Sequence, residues 1–157
     1  MDANVGLFFR RSAAVKRYVS EVGTAWVISL FRASNQSSFY VARITLTEVV
    51  SAFTRRLKGK SLAPRQTTKA KRRFRHDFRR KFFKLEINAL LIERATDLAE
   101  KYALRGYDAV QLAAALTANE ARIAVNALPL ILVSADNDLN AAATAEGLAV
   151  ENPNDYL

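Results

Sequence analysis

A chain of 157 residues, half of them hydrophobic, is long enough for one domain with a real core and too apolar to be disordered. With no cysteine and a single histidine, His76, it excludes disulfides, thiolate metal sites and histidine-based metal sites or triads, so any metal must be a hard one held by carboxylates. Twenty-four Lys and Arg against 15 Asp and Glu give a net charge of +9, which points to a polyanionic partner, nucleic acid first.

No basic segment precedes a long apolar run, so no secretory signal is expected. Val5–Phe9 is too short to span a membrane, and the apolar stretch 123–133 is broken by Asn126 and Pro129. The cytoplasm is the expected compartment, and residues 1–157 read as one domain without an internal linker.

Val5–Phe9 reads as a first buried strand. A helix follows over residues 13–22, capped by Ser12 and stopped by Gly23, then a second over 24–31. Residues 34–38 are a polar loop and 39–42 a second strand. Thr45 opens a helix running to about Leu57, and Thr45 with Glu48 has the spacing of a capping box, which is one role for Glu48. Gly59 and Pro64 break the chain there.

Residues 58–84 hold 12 of the 24 basic residues against one acid, Asp77. Phe74, Phe78 and Phe82 stand four residues apart and share one helix face, expected to be core and not a base-stacking platform. Lys71, Arg72, Arg73, Arg75, Arg79 and Arg80 lie on the other faces. They form either a solvated surface or phosphate contacts, the latter because so many like charges are costly to hold together without an anion. A short strand over 84–87 and a helix over 88–102 follow.

The next helix carries Asp108 at its mouth, ahead of an apolar run through Leu116. Gly106 lets the chain turn into it, and an N-cap is the plain role for Asp108. Residues 119–126 end this helix or connect onward. Leu130–Val133 is the clearest strand, continuous and apolar as in a parallel sheet. Asp136 stands just past it, a helix spans 139–146 up to Gly147, and a last strand spans 148–150.

Strands and helices alternate throughout, which predicts an α/β/α sandwich with a mainly parallel central sheet. Such sheets bind ligands at the C-terminal ends of their strands. Glu48, Asp108 and Asp136 each sit at a strand end or a helix start, so three carboxylates can meet on one edge. Like charges that close repel, and a divalent cation relieves them; all-oxygen ligands favour Mg²⁺ or Mn²⁺. Beside a basic surface, the implied chemistry is metal-assisted hydrolysis of a phosphodiester.

Four stretches together resemble PIN domains, in particular VapC-type toxins of bacterial toxin–antitoxin pairs: Ser12 to Tyr18, Ile44 to Val49, Leu104 to Ala113 and Val133 to Leu139. The residues from Ala141 to Leu148 and from Glu151 to Pro153 agree with them. The resemblance covers nearly the whole chain. It implies a PIN-like sandwich, Mg²⁺- or Mn²⁺-dependent endoribonuclease activity on RNA, a homodimer, and inhibition by a small antitoxin protein. It assigns catalytic and metal-binding roles to Glu48, Asp108 and Asp136, with Asp138 a weaker candidate expected to cap the following helix.

The chain departs from the family's pattern at one position. The family's first acid, two residues before the serine that matches Ser12, is here Arg10. That exchange moves the formal charge of the site by about two units. Two arrangements are open. Arg10 lies among Asp108 and Asp136 as a fixed counter-ion in place of the metal, giving a catalytically inactive module that binds RNA or an antitoxin. Otherwise it turns outward, and three acids bind metal weakly.

Overall fold

Five parallel strands make the centre of the fold: β1 (Val5–Phe9), β2 (Ser37–Ala42), β3 (Phe82–Leu85), β4 (Leu130–Val133) and β5 (Ala149–Glu151). They lie in the order β3-β2-β1-β4-β5. This computed structural model describes residues 4–33 and 36–157; Ser34 and Asn35 of the expected polar loop lie outside the described residues.

The alternation of side chains along β1 assigns the two helical layers. Leu7 and Phe9 face a cluster with Val27, Phe31, Val49, Phe53 and Phe74. That layer is α1 (Arg11–Ala14), α2 (Thr24–Arg32), α3 (Thr45–Lys58) and α4 (Pro64–Arg80). Phe8 faces the other way, toward Leu91, Leu98, Leu112, Leu116 and Leu139. That layer is α5 (Ala89–Tyr102), α6 (Gly106–Ala124) and α7 (Asn137–Ala145). The result is the expected three-layer sandwich, with every strand pair parallel.

Four local expectations need correction. The helix expected over 13–22 is only the four residues of α1 plus one tighter turn, Val15–Arg17. The chain is pulled back there because the Lys16 ammonium donates to the Val22 carbonyl (2.8 Å), while the Glu21 amide donates to Thr24 Oγ1 (2.9 Å). The third strand starts at Phe82, not Lys84, because Phe82 pairs with Phe39 and packs on Phe9 and Phe31. Phe74 and Phe78 therefore belong to α4 and Phe82 to β3, yet all three are buried in one core as expected. The second strand starts at Ser37, not Phe39, because Ser37 and Ser38 pair with Val5 and Gly6, whereas residues 119–126 are, as one of the two readings had it, the end of α6, helical to Ala124.

The fourth concerns the caps. Arg105 is the N-cap of α6 and Asp108 its third residue. Ile44 is the N-cap of α3 and forms no side-chain cap, so Thr45 and Glu48 make no capping box. Asp136, not Asp138, caps α7, accepting from the Leu139 amide at 3.0 Å. Asp77, the one acid of the basic segment, is internal. It accepts from Tyr18 Oη (2.8 Å) and Arg17 Nε (3.0 Å), and burial together with its charge pushes the Tyr18 phenol far above its usual range.

Candidate functional site

The strand order turns at β1: β2 and β3 build outward on one side, β4 and β5 on the other. The crevice at such a turning point opens beyond the C-terminal ends of the two central strands, here β1 and β4. Arg10 is the first residue past β1, and its amide extends the ladder by donating to the Val133 carbonyl at 3.1 Å. Asp136 begins the helix that follows β4. Asp108 enters from the first turn of α6, and Glu48 from the first turn of α3.

Arg10 points inward. It is 6% exposed, as is Asp108. Its Nη2 donates to Asp108 Oδ1 and lies 3.6 Å from Asp136 Oδ2. One guanidinium nitrogen thus serves two carboxylates from two different helices. Arg10 Nε is buried and has no acceptor. Asp136 is the more open member, its side chain about one-third exposed.

Glu48 is held separately. Gln111 Nε2 donates to Glu48 Oε2 at 2.7 Å and to Thr45 Oγ1 at 3.0 Å. Burial raises the Glu48 pKa above the usual carboxylate value. Arg10, Arg11 and the Gln111 hydrogen bond oppose that rise, and Asp108 adds to it. The influence of Arg10, Arg11 and Asp108 on Glu48 shows that all of them share one electrostatic neighbourhood.

Gln111 is the residue that sequence reasoning passed over. Its signal is a lone amide in the apolar run of α6, three residues after Asp108 and so on the same helix face. It is completely buried, and it ties α6 to α3.

Two clefts flank this edge. One, of about 570 Å³, is lined by Tyr102, Leu104, Arg105, Asp108, Asp136 and Asp138 among others. The other, of about 520 Å³, lies on the α1 and α3 side. None of Lys71, Arg72, Arg73, Arg75, Arg79 and Arg80 lines either one. All but the half-buried Lys71 are exposed on α4. Arg79 and Arg80 lie near the opposite edge of the sheet, because β3 begins two residues after Arg80 and runs parallel to its neighbours.

A divalent cation does not fit the site as it stands. The position between Asp108 and Asp136 is taken by a guanidinium, which already supplies their positive charge. Among the described residues, no three His, Asp or Glu side chains are grouped so that they hold a metal ion.

The PIN domain family model matches residues 11–145. No curated protein matches the chain. Among solved structures, it is similar to a toxin–antitoxin complex from Klebsiella pneumoniae at 19% identity and a TM-score of 0.60, covering 94% of this chain and 97% of that one. It is similar to VapBC2 from Rickettsia felis, bound to a promoter DNA fragment, at 13% identity and a TM-score of 0.58, covering 94% and 98%. It is also similar to VapC20 from Mycobacterium tuberculosis, a toxin that cleaves the sarcin–ricin loop, at 16% identity and a TM-score of 0.60, covering 87% and 94%.

Proposed function

Since the chain belongs to the PIN-domain family, we propose that it is the toxin-type component of a toxin–antitoxin pair, directed at RNA, in which Arg10 replaces the divalent metal. As the chain stands, it binds RNA without cutting it. The observation that carries this reading is the pairing of buried Arg10 with both Asp108 and Asp136. The toxin–antitoxin structures it resembles support a small antitoxin partner. The net charge of +9 and the outward basic residues of α4 support a polyanionic ligand. A homodimer and a cytoplasmic setting belong to the same proposal. Among the described residues, no helix is long and apolar enough to cross a membrane.

One observation favours a second reading. Glu48, Asp108 and Asp136 each stand at the start of a helix beyond the strand ends, and Glu48 is bound to Gln111 and not to Arg10. In that reading Arg10 withdraws, and the three acids act as the site of a Mg²⁺- or Mn²⁺-dependent endoribonuclease.

RNA cleavage by the protein and by Arg10→Asp, each with Mg²⁺ or Mn²⁺ and with EDTA, separates the two. The binding reading expects cleavage from Arg10→Asp alone, and a thermal midpoint raised by Mg²⁺ in Arg10→Asp but not in the parent chain. Asp108→Asn in the Arg10→Asp background abolishes that cleavage. EDTA-sensitive cleavage by the parent chain overturns the binding reading in favour of the nuclease.

A further inference from the structure

We infer that the cleft on the α1 and α3 side is a phosphate subsite, which takes a backbone phosphodiester of the RNA next to the acidic edge. The inference rests on the RNA reading above and adds where the strand is gripped.

Arg11, Lys16, Arg55 and Arg56 line this cleft, against one carboxylate, Glu21. Glu21 is already committed. It accepts from Arg56 Nη2 at 2.9 Å and lies 3.2 Å from Lys16 Nζ. Lys16 is only 5% exposed and also donates to the Val22 carbonyl, so its charge is fixed in the floor of the cleft. The pair Lys16–Glu21 is neutral as a unit. With Arg56 sharing that same carboxylate, the four cations of the lining exceed its one acid by three charges. Among the described residues neither Arg11 nor Arg55 has a carboxylate partner. Arg56 Nη1 is a buried donor without an acceptor. Planar guanidinium groups left in this state match the paired oxygens of a phosphate.

The cleft joins the acidic edge on both strands. Arg11 and Ser12 follow Arg10 directly, and Ala135 directly precedes Asp136. On α3 the residues Glu48, Ser51, Ala52 and Arg55 are spaced three and four apart, so one helix face runs from the acid to the cleft. A strand whose phosphate sits on Arg11, Arg55 and Arg56 therefore carries its neighbouring phosphodiester past Glu48 and Arg10. The basic residues of α4 cannot do this, because they line neither cleft.

The test uses the full chain and a short fluorescent oligouridylate, with affinity followed by anisotropy between about 50 and 200 mM salt. Arg11→Gln with Arg55→Gln removes two charges without touching the buried Lys16, and an unchanged thermal midpoint verifies the fold. Affinity is expected to fall about tenfold near 0.1 M salt. The salt slope is expected to fall by about 1.4, since each phosphate on a single strand contributes about 0.7. Arg32→Gln with Lys81→Gln removes the same charge at the opposite edge and is expected to change affinity less than about twofold. Equal losses from the two pairs, or wild-type binding by Arg11→Gln with Arg55→Gln, overturn the subsite.

Amide chemical shifts on titration with inorganic phosphate, and separately with the dinucleotide UpU, distinguish the source of the anion. Shifts centred on Ser12, Ala52, Arg55 and Ala135 with both probes support the subsite. RNA binding without those shifts overturns the subsite and leaves the RNA reading intact. Those shifts with phosphate but no retention of any RNA keep the anion site and overturn the RNA reading.

Discussion

A guanidinium and a metal ion both neutralise clustered carboxylates, but they do so differently. A guanidinium is covalently tethered, has fixed directions for its donors and cannot activate a water molecule. Arg10 therefore fixes Asp108 and Asp136 in place while removing the position a Lewis acid would need. Replacing it with an apolar residue leaves Asp108 buried without a partner, the costly half of a broken buried pair. Arg10→Met is expected to lose about 3 kcal/mol in a urea titration. Glu48 carries the opposite sign. Its raised pKa means that the folded state holds the proton more tightly than the unfolded chain, so stability drops as pH rises through the carboxylate range and then levels off. Glu48→Gln is expected to raise the thermal midpoint at pH 7. The gain should vanish below about pH 4, where both states are protonated. A variant that is less stable at pH 7 than the parent would show that Glu48 earns its place by attraction to Arg10 and Arg11.

Within single elements, what the sequence predicts well is whatever depends on a short window, and what it misses depends on a distant partner. The apolar run of β4 and the α5 and α6 patterns lie where the residue order puts them, because burial and periodicity set them locally. The extent of α1 does not, because its end is set by Lys16 reaching Val22 and Glu21. The start of β3 moved because Phe82 finds Phe39, a residue 43 positions earlier. Gly106 is a related case. The sequence suggests a sharp turn, yet Gly106 is an ordinary first residue of α6, and an added Cβ would meet nothing within 4 Å. Glycine there only enlarges the entropy of the unfolded chain. Gly106→Ala is expected to stabilise the protein by about 0.5 kcal/mol, read from the denaturant midpoint at unchanged slope.

Across the whole molecule, two buried arginines close the two ends of the sheet, and they divide its tasks. Three acids at the C-terminal edge were legible because strand ends and helix starts are visible in the sequence. That Arg10 turns inward among them was left open, since only the packed crevice decides it. The opposite edge gave no sequence signal. There Arg122, on α6, is 6% exposed and donates to the Leu128 carbonyl (2.8 Å), the Asn4 carbonyl (2.7 Å) and Tyr40 Oη (3.1 Å). It ties the chain ahead of β1 to the chain ahead of β4. Gly6 is what lets it lie there, since a Cβ at that position would stand 2.5 Å from Arg122 Nε. Arg122→Met removes the hydrogen bonds that a buried, charged donor makes to two carbonyls and a phenol, at a cost of about 3 kcal/mol. In a chain of this size that lowers the thermal midpoint by about 6–12 °C. Because the strands keep the two edges apart, RNA affinity measured well below the midpoint is expected to stay within about twofold of the parent, the spread allowed for distant, independent sites. A matching loss of affinity in Arg122→Met would mean that the edges are coupled and that the sheet does not insulate its anchor from its ligand.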